Sequence, residues 1–356
     1  MNVRDLLDAL GDPAAAETFS AALHDPLLAI DVPDAASAAG LAMIVDPSRS
    51  VTDLRALPCV TVLVVPDPAV FAGAGHVPLI LGDVLLTDDP DAPRPYVTPV
   101  DGSAGGLAAL RTTAAANPLA AAALALLLRS AEGLDVPAGL VAESATYSTL
   151  QAGAEFTRWR ATRPPRPADA TGDRVRTERD GDVLRVTMTR AARRNALDAT
   201  MRDALTEAFA RAAADPTVAL ELHGDGPDFC AGGDLDEFGT RPDPAVGHLT
   251  RLTRSPARLL HGVARRATAH LHGACLGAGI ELPAFAGRVV AAPDTSIGLP
   301  EVSLGLVPGA GGTVSLPRRI GRQRTAWLGL SGRRLDAEQA LRWGLVDEVQ
   351  GRIAST

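Results

Sequence analysis

Residues 161–174, ATRPPRPADATGDR, crowd three prolines and several small polar residues into one short stretch. Proline fixes φ and removes a backbone donor, so neither a helix nor a central strand runs through such a segment. The pattern must break there, and 356 residues are enough to bury a core on either side. We read 1–160 as one domain, 161–173 as a linker and 174–356 as a second domain.

The second region opens with RVRTERDGDVLRVTMTR, two alternating runs around Asp180-Gly181, the pattern of a β-hairpin. In NALDATMRDALTEAFARAAADP, Leu197, Met201, Leu205 and Phe209 recur at the spacing of an amphipathic helix. VALELHG, TAHLHGACLG and GRVVAAP read as further strands. Strands alternating with helices give an α/β fold class. In the first region PLLAIDVP, CVTVLVVPD and VPLILGDVLLTDD read as buried strands. NPLAAAALALLLRSAEG and GLVAESATYSTLQAGAEFTRWRA read as two helices, so this smaller domain is α/β at its start and helical at its end.

Composition narrows the chemistry. The net charge of -8 supplies no basic field for nucleic acid, so no nucleic-acid partner is expected. All 34 cationic side chains are arginine, and without lysine there is no Schiff-base or P-loop chemistry. Three scattered cysteines, Cys59, Cys230 and Cys275, form neither a disulfide framework nor a CxxC site, which points to the reducing cytoplasm. The N-terminus lacks the uncharged apolar run of a signal peptide, and the apolar runs are too short to span a membrane, so no membrane role is expected. His270 and His272 alternate on a strand and fit no metal motif; no metal is expected. Aromatics at 3% argue against a heavily aromatic pocket.

Two glycine turns carry the chemistry. In DFCAGGDLDEF, 228–238, the turn after a strand end leaves backbone N–H groups without partners. In HGACLGAGIEL, 272–282, a strand runs into a helix start whose free amides favour negative charge. Brought together, the two would make an oxyanion hole. Glu281 closes the second turn and Glu301 opens EVSLGLVPGAGGT, so two carboxylates accompany the glycines.

FCAGGDL, HGACLGAGIEL, GLPEVSLGLVPGAGGT and SGRRLDAEQALRWGLVDEV, with the earlier RRNALD, resemble the crotonase (enoyl-CoA hydratase/isomerase) superfamily over residues 174–350. The resemblance implies a ββα spiral core in this half. It implies that Gly233 and Ala278 supply the oxyanion N–H groups for an acyl-CoA thioester, an effect worth roughly 3 to 4 kcal/mol per donor in comparable sites. Glu281 and Glu301 match the two glutamates of the hydratases, which add water across a 2-enoyl thioester. Ala231, Asp234 and Leu235 match the turn that holds the adenine, and Arg193 and Arg194 the basic position for the phosphates. No cofactor is implied, coenzyme A being part of the substrate, and self-association is usual in the family. An isomerase, a thioester hydrolase and a cofactor-free oxygenase share the fold, and a non-catalytic scaffold subunit is the reading from another class.

Members of this superfamily continue past the GLVDEV element as helices that close the site, whereas this sequence stops at Thr356. Residues 117–159 look like that helical segment, and the first half is expected to be a degenerate, catalytically silent repeat that covers the catalytic half; an unrelated accessory domain is the alternative. Pocket walls are expected from residues 237–260, and Pro283 places a helix N-terminus close to Ala278.

Overall fold

The computed structural model describes residues 1–45, 53–72, 80–163, 172–240 and 243–351. The chain forms two compact units, Met1–Glu132 with Ile320–Gly332, and Gly133–Arg319 with Arg333–Thr356. The division therefore comes at Gly133 rather than at the proline-rich stretch, of which residues 164–171 lie outside the described residues. Prolines end secondary structure but do not decide which neighbours a helix packs on. Among the described residues, no single helix is long and apolar enough to cross a membrane.

The first unit carries three parallel strands in the order β1 (Leu27–Asp31), β2 (Val60–Val64) and β3 (Val84–Leu86). Leu27 lies opposite Val60 and Val62 opposite Val84. Nearly every strand residue is buried, the pattern of a parallel sheet covered on both faces. Helices Gly102–Ala116 and Pro118–Ser130 pack here. The first was not legible because Gly105 and Gly106 weaken its pattern; Gly106 is where Pro99 and the Trp327 ring come too close for a Cβ.

Trp327 belongs to helix Arg322–Leu330, all nine residues of which are buried in this unit although the segment follows both glycine turns in sequence. Asp83 explains how its polar residues are tolerated. The Asp83 carboxylate, 1% exposed, accepts bonds from Arg129, from the Thr61 backbone N–H at 2.8 Å and from the Thr61 hydroxyl. Arg322 Nη1 approaches it at 3.5 Å and also donates to the Gly82 carbonyl. Removing one partner of a buried ion cluster strands the others. Asp83→Ala is expected to destabilise this unit by about 3–5 kcal/mol in denaturant titration.

The second unit holds a six-stranded sheet in the order β12 (Glu348–Val349), β9 (Arg288–Ala291), β7 (Ala267–Leu271), β6 (Ala219–Gly224), β5 (Val183–Met188) and β4 (Val175–Asp180). Only β4 and β5 are antiparallel, the hairpin turning at Gly181, whose φ of +55° suits glycine. A second sheet pairs β8 (Ala274–Leu276) with β10 (Ser296–Gly298) in parallel and β10 with β11 (Leu335–Asp336) in antiparallel. Helix Ala199–Ala214 buries Met201, Leu205 and Phe209, and Asp198 caps it by accepting from the Met201 N–H at 2.7 Å. Leu197 precedes this cap instead of joining the helix, and pairs with Gly233.

Helices Val136–Gln151 and Ala154–Ala161 lie in this same unit, packed on helix Pro244–Thr253 and on the turn Glu301–Leu304. Gly305 has φ +74° and receives the backbone of Glu155 and Phe156 at distances a Cβ would not permit.

Candidate active site

Both glycine turns meet through a single backbone bridge. Cys230 and Cys275 pair in parallel, the Cys230 N–H donating to the Ala274 carbonyl at 3.1 Å and the Leu276 N–H to the Cys230 carbonyl at 3.0 Å. A Cβ on Gly279 would lie 2.2 Å from the Cys230 carbonyl oxygen, so the turns touch only because that residue is glycine. On the other side the RRNALD element runs along the first turn: the Leu197 N–H donates to the Gly232 carbonyl and the Asp234 N–H to the Leu197 carbonyl. In this parallel pattern the intervening Gly233 N–H is left over. Ala278 opens the helical turn Ala278–Glu281, where the first N–H has no helical partner. Among the described residues neither Gly233 nor Ala278 donates a backbone hydrogen bond.

The helix at Ala278 is one turn long; Pro283 begins a separate 3-10 turn rather than lying in the first turn of a longer helix. That single turn aims Glu281 at the PGAGG loop. Glu281 Oε2 accepts from the Ala310 and Gly312 N–H groups, both at 2.8 Å. The loop glycines thus wrap a carboxylate: a Cβ on Gly312 would lie 2.6 Å from Glu281 Cγ. Helix Gly312–Ile320 starts here, and its free amides and dipole favour the charge.

Glu301 faces Glu281 across Gly277. The point where a Cβ on Gly277 would sit is 2.2 Å from Glu301 Oε1 and 3.7 Å from Glu281 Oε1, and Gly277 has φ +48°. Only glycine leaves that space between the carboxylates. Glu301 Oε2 is buried without a hydrogen-bond partner among the described residues. Burial, then the neighbouring Glu281 and Glu143, push the Glu301 carboxyl well above the usual carboxylate range. Glu281, burial opposed by the loop amides, is pushed up to about 7.

A third buried carboxylate was not found by sequence reasoning. Glu143, on helix Val136–Gln151 and 2% exposed, accepts from the Gly311 N–H at 2.7 Å and from the Thr313 N–H and hydroxyl at 2.9 and 2.7 Å. Burial and Glu281 push it up to about 8. Its only sequence signal was a lone acid among the buried positions of a helix, in a stretch without motif. The same helix brings Tyr147, whose ring would meet a Cβ on Gly309 at 2.5 Å. Tyr147, Phe156, Trp159 and Phe238 form a cluster with ring centroids 5.5–6.4 Å apart, and the Phe238 edge lies against Gly233. The rings are few in the sequence, and four of them gather here.

Of the residues matched to the coenzyme, Ala231, Asp234 and Leu235 lie on the first turn and Arg193 and Arg194 on the RRNALD element beside it, with the charged side chains already paired. Asp234 pairs with Arg190 at 2.7 Å and accepts from the Asp236 N–H. Arg194 pairs with Asp228 at 2.6 Å while its carbonyl accepts from the Ala231 N–H. Arg193 lies 3.8 Å from Asp236, and Leu235 is half-buried beside them. Elsewhere on the six-stranded sheet Glu221, His223 and His270 bring ligand atoms within 4.8 Å of one another, a grouping across β6 and β7 that no linear motif shows; Glu221 already pairs with Arg185.

The Enoyl-CoA hydratase/isomerase family profile matches residues 178–354. An enoyl-CoA hydratase structure from Thermoplasma volcanium GSS1 is 35% identical over 51% of this chain and 73% of its own, with a TM-score of 0.47. This chain belongs to the enoyl-CoA hydratase/isomerase family. Enoyl-CoA hydratase structures from Bacillus anthracis and Mycobacterium smegmatis are each 30% identical over 50% of this chain and 70% of their own, with TM-scores of 0.46. The crotonase fold accordingly occupies the C-terminal half, and Glu143 lies outside the matched residues.

Carboxyls with raised pKa hold protons more tightly folded than unfolded, so stability falls as pH rises through the window between the two values. Glu281, Glu143 and Glu301 titrate as one group in this respect. From about pH 7 to 8, the range in which Glu281 and Glu143 ionise in the folded chain, these carboxyls are expected to lower the melting temperature, and less steeply in Glu301→Gln.

Proposed function

We propose that this enzyme hydrates 2-enoyl-CoA thioesters. The observation that carries the reading is the approach of Glu281 Oε1 and Glu301 Oε1 to one point at Gly277, next to the unengaged Ala278 N–H. The thioester oxygen accepts from the Gly233 and Ala278 N–H groups, which stabilise the enolate as charge develops. Glu281, held by loop amides and near neutrality in pKa, takes a proton from water as the water oxygen bonds to the β-carbon. Glu301, protonated because burial disfavours its charge, gives its proton to the α-carbon. Exchange with solvent then restores both carboxyls.

Coenzyme A arrives with the substrate. The Asp234 carboxylate is committed to Arg190 and its backbone to Leu197 and Glu237, so the Ala231 carbonyl and the Leu235 backbone are left to meet the adenine, and Arg193 and Arg194 flank the phosphates. An isomerase needs only one of the two glutamates; retention of both favours hydration.

Loss of the enoyl-thioester absorbance with crotonyl-CoA tests this, with Glu281→Gln and Glu301→Gln each expected to lower kcat about 10²–10⁴-fold. Hydration that survives either substitution undiminished overturns the assignment. The pH profile should be bell-shaped, its acid limb near pH 7 from Glu281 and its alkaline limb from ionisation of Glu301.

A further inference from the structure

Within the second unit a partly open cleft lies between helix Val136–Gln151 and the segment around Arg251. Its lining includes Leu197, whose backbone pairs with Gly233, and Ala310 and Gly311, whose loop grips Glu281, so the space adjoins the residues proposed to hold the thioester. The walls include Leu140 and Leu252, apolar as an acyl chain requires, but Arg202, Arg251 and Arg254 line it as well.

The three arginines are not equivalent. Arg202 donates twice to Asp203, at 2.9 and 2.7 Å, and Arg254 lies on the exposed side 3.9 Å from Glu207. Arg251 has no carboxylate partner among the described residues. Its Nε donates to the Ser144 hydroxyl at 3.0 Å, its Nη2 to the Ser144 carbonyl and the Ser148 hydroxyl, and its plane lies 4.5 Å from the Tyr147 ring centre. These neutral groups fix the guanidinium without cancelling its charge, and Nη1 has no acceptor among the described residues. Burial disfavours the charge enough to push the Arg251 pKa down. The one carboxylate lining the cavity, Glu143, has both oxygens taken by Gly311 and Thr313. An oriented, half-buried cation with a free donor and, among the described residues, no carboxylate within hydrogen-bond reach is a site for an anion that comes from outside.

We propose that the acyl group accepted here ends in a carboxylate, bound by Arg251. The proposal rests on the acyl-CoA reading above, and it narrows the substrate to a short acyl chain with an anionic terminus. Calorimetric binding of glutaryl-CoA and pentanoyl-CoA to the full chain tests it. The two differ in the terminal carboxylate against a methyl group, and neither can be hydrated.

The wild type should bind glutaryl-CoA at least about tenfold more tightly, the scale of a charge-assisted hydrogen bond. In Arg251→Gln that preference should collapse to about unity, and Arg251→Lys should keep part of it. Pentanoyl-CoA binding by each variant reports that the site is still folded. Equal binding of both ligands by the wild type, or a preference that survives Arg251→Gln, overturns the proposal. Free coenzyme A losing as much affinity as glutaryl-CoA in Arg251→Gln also overturns it, assigning the anion to a coenzyme phosphate. Failure of the wild type to bind either thioester removes the acyl-CoA reading itself, whereas binding without hydration of crotonyl-CoA removes only the reaction.

Discussion

The turn from Gly309 to Thr313 receives two carboxylates on consecutive backbone amides, and the site depends on that arrangement. Glu281 takes the N–H groups of Ala310 and Gly312, and Glu143 those of Gly311 and Thr313. Alternate amides therefore point to opposite sides, toward residues 168 or more positions apart on one side and about 30 on the other. Burying an isolated carboxylate is costly, and burying several in one place costs more, because each raises the others. Fixed amides at the start of a helix offset part of that cost without adding a counter-cation that would keep every group ionised. The remainder shows as raised pKa values, the property an acid that delivers a proton near neutrality requires.

Legibility followed the range of the interaction. Glycine turns, the hairpin at Gly181 and the strands from Val183 to Ala291 come from local rules, and their placement in the structure follows the sequence pattern. Glu281 and Glu301 could be singled out because they stand beside the glycine turns at the spacing of the family they resemble, and Gly277 and Gly312 leave the room these side chains fill. Glu143 and Arg251 gave no such mark. Each is an ordinary polar residue on a helix, and its significance lies in what the helix faces: Thr313 for one, Ser144 and Tyr147 for the other. The same holds for helix Arg322–Leu330, whose arginines suggest exposure until Asp83 and the carbonyls of Ile80 and Gly82 are seen to take their charge and donors.

The helices that bear on the site precede its strands in the chain. Phe156 lies against Gly239, Tyr147 against Gly309, and the Glu155–Phe156 backbone against Gly305, three glycines on two loops of the second unit. Such close approaches fix these two helices far more narrowly than generic apolar packing does, because an added methyl group at any of the three glycines meets an atom within 3 Å. Connection order is free to vary where the packed interface is retained, since burial depends on which surfaces meet and not on the sequence path between them.

Acids on the first turn show the same separation of roles. Asp228 and Asp234 are spent on Arg194 and Arg190, and Asp228 also accepts from the Ala274 N–H at 2.8 Å, tying the first turn to the strand that leads into the second. The arginine beside Asp228 and the backbone N–H it accepts hold its carboxyl below the usual range, so it stays ionised at pH values where Glu281 and Glu301 still hold protons. Carboxylates paired with arginine thus act as fixed anchors for the backbone that presents Gly233 and Ala278. Those denied a cation keep their protons available. The absence of lysine from the sequence suits this division, because a guanidinium holds a carboxylate bidentately and stays charged at any pH the site meets.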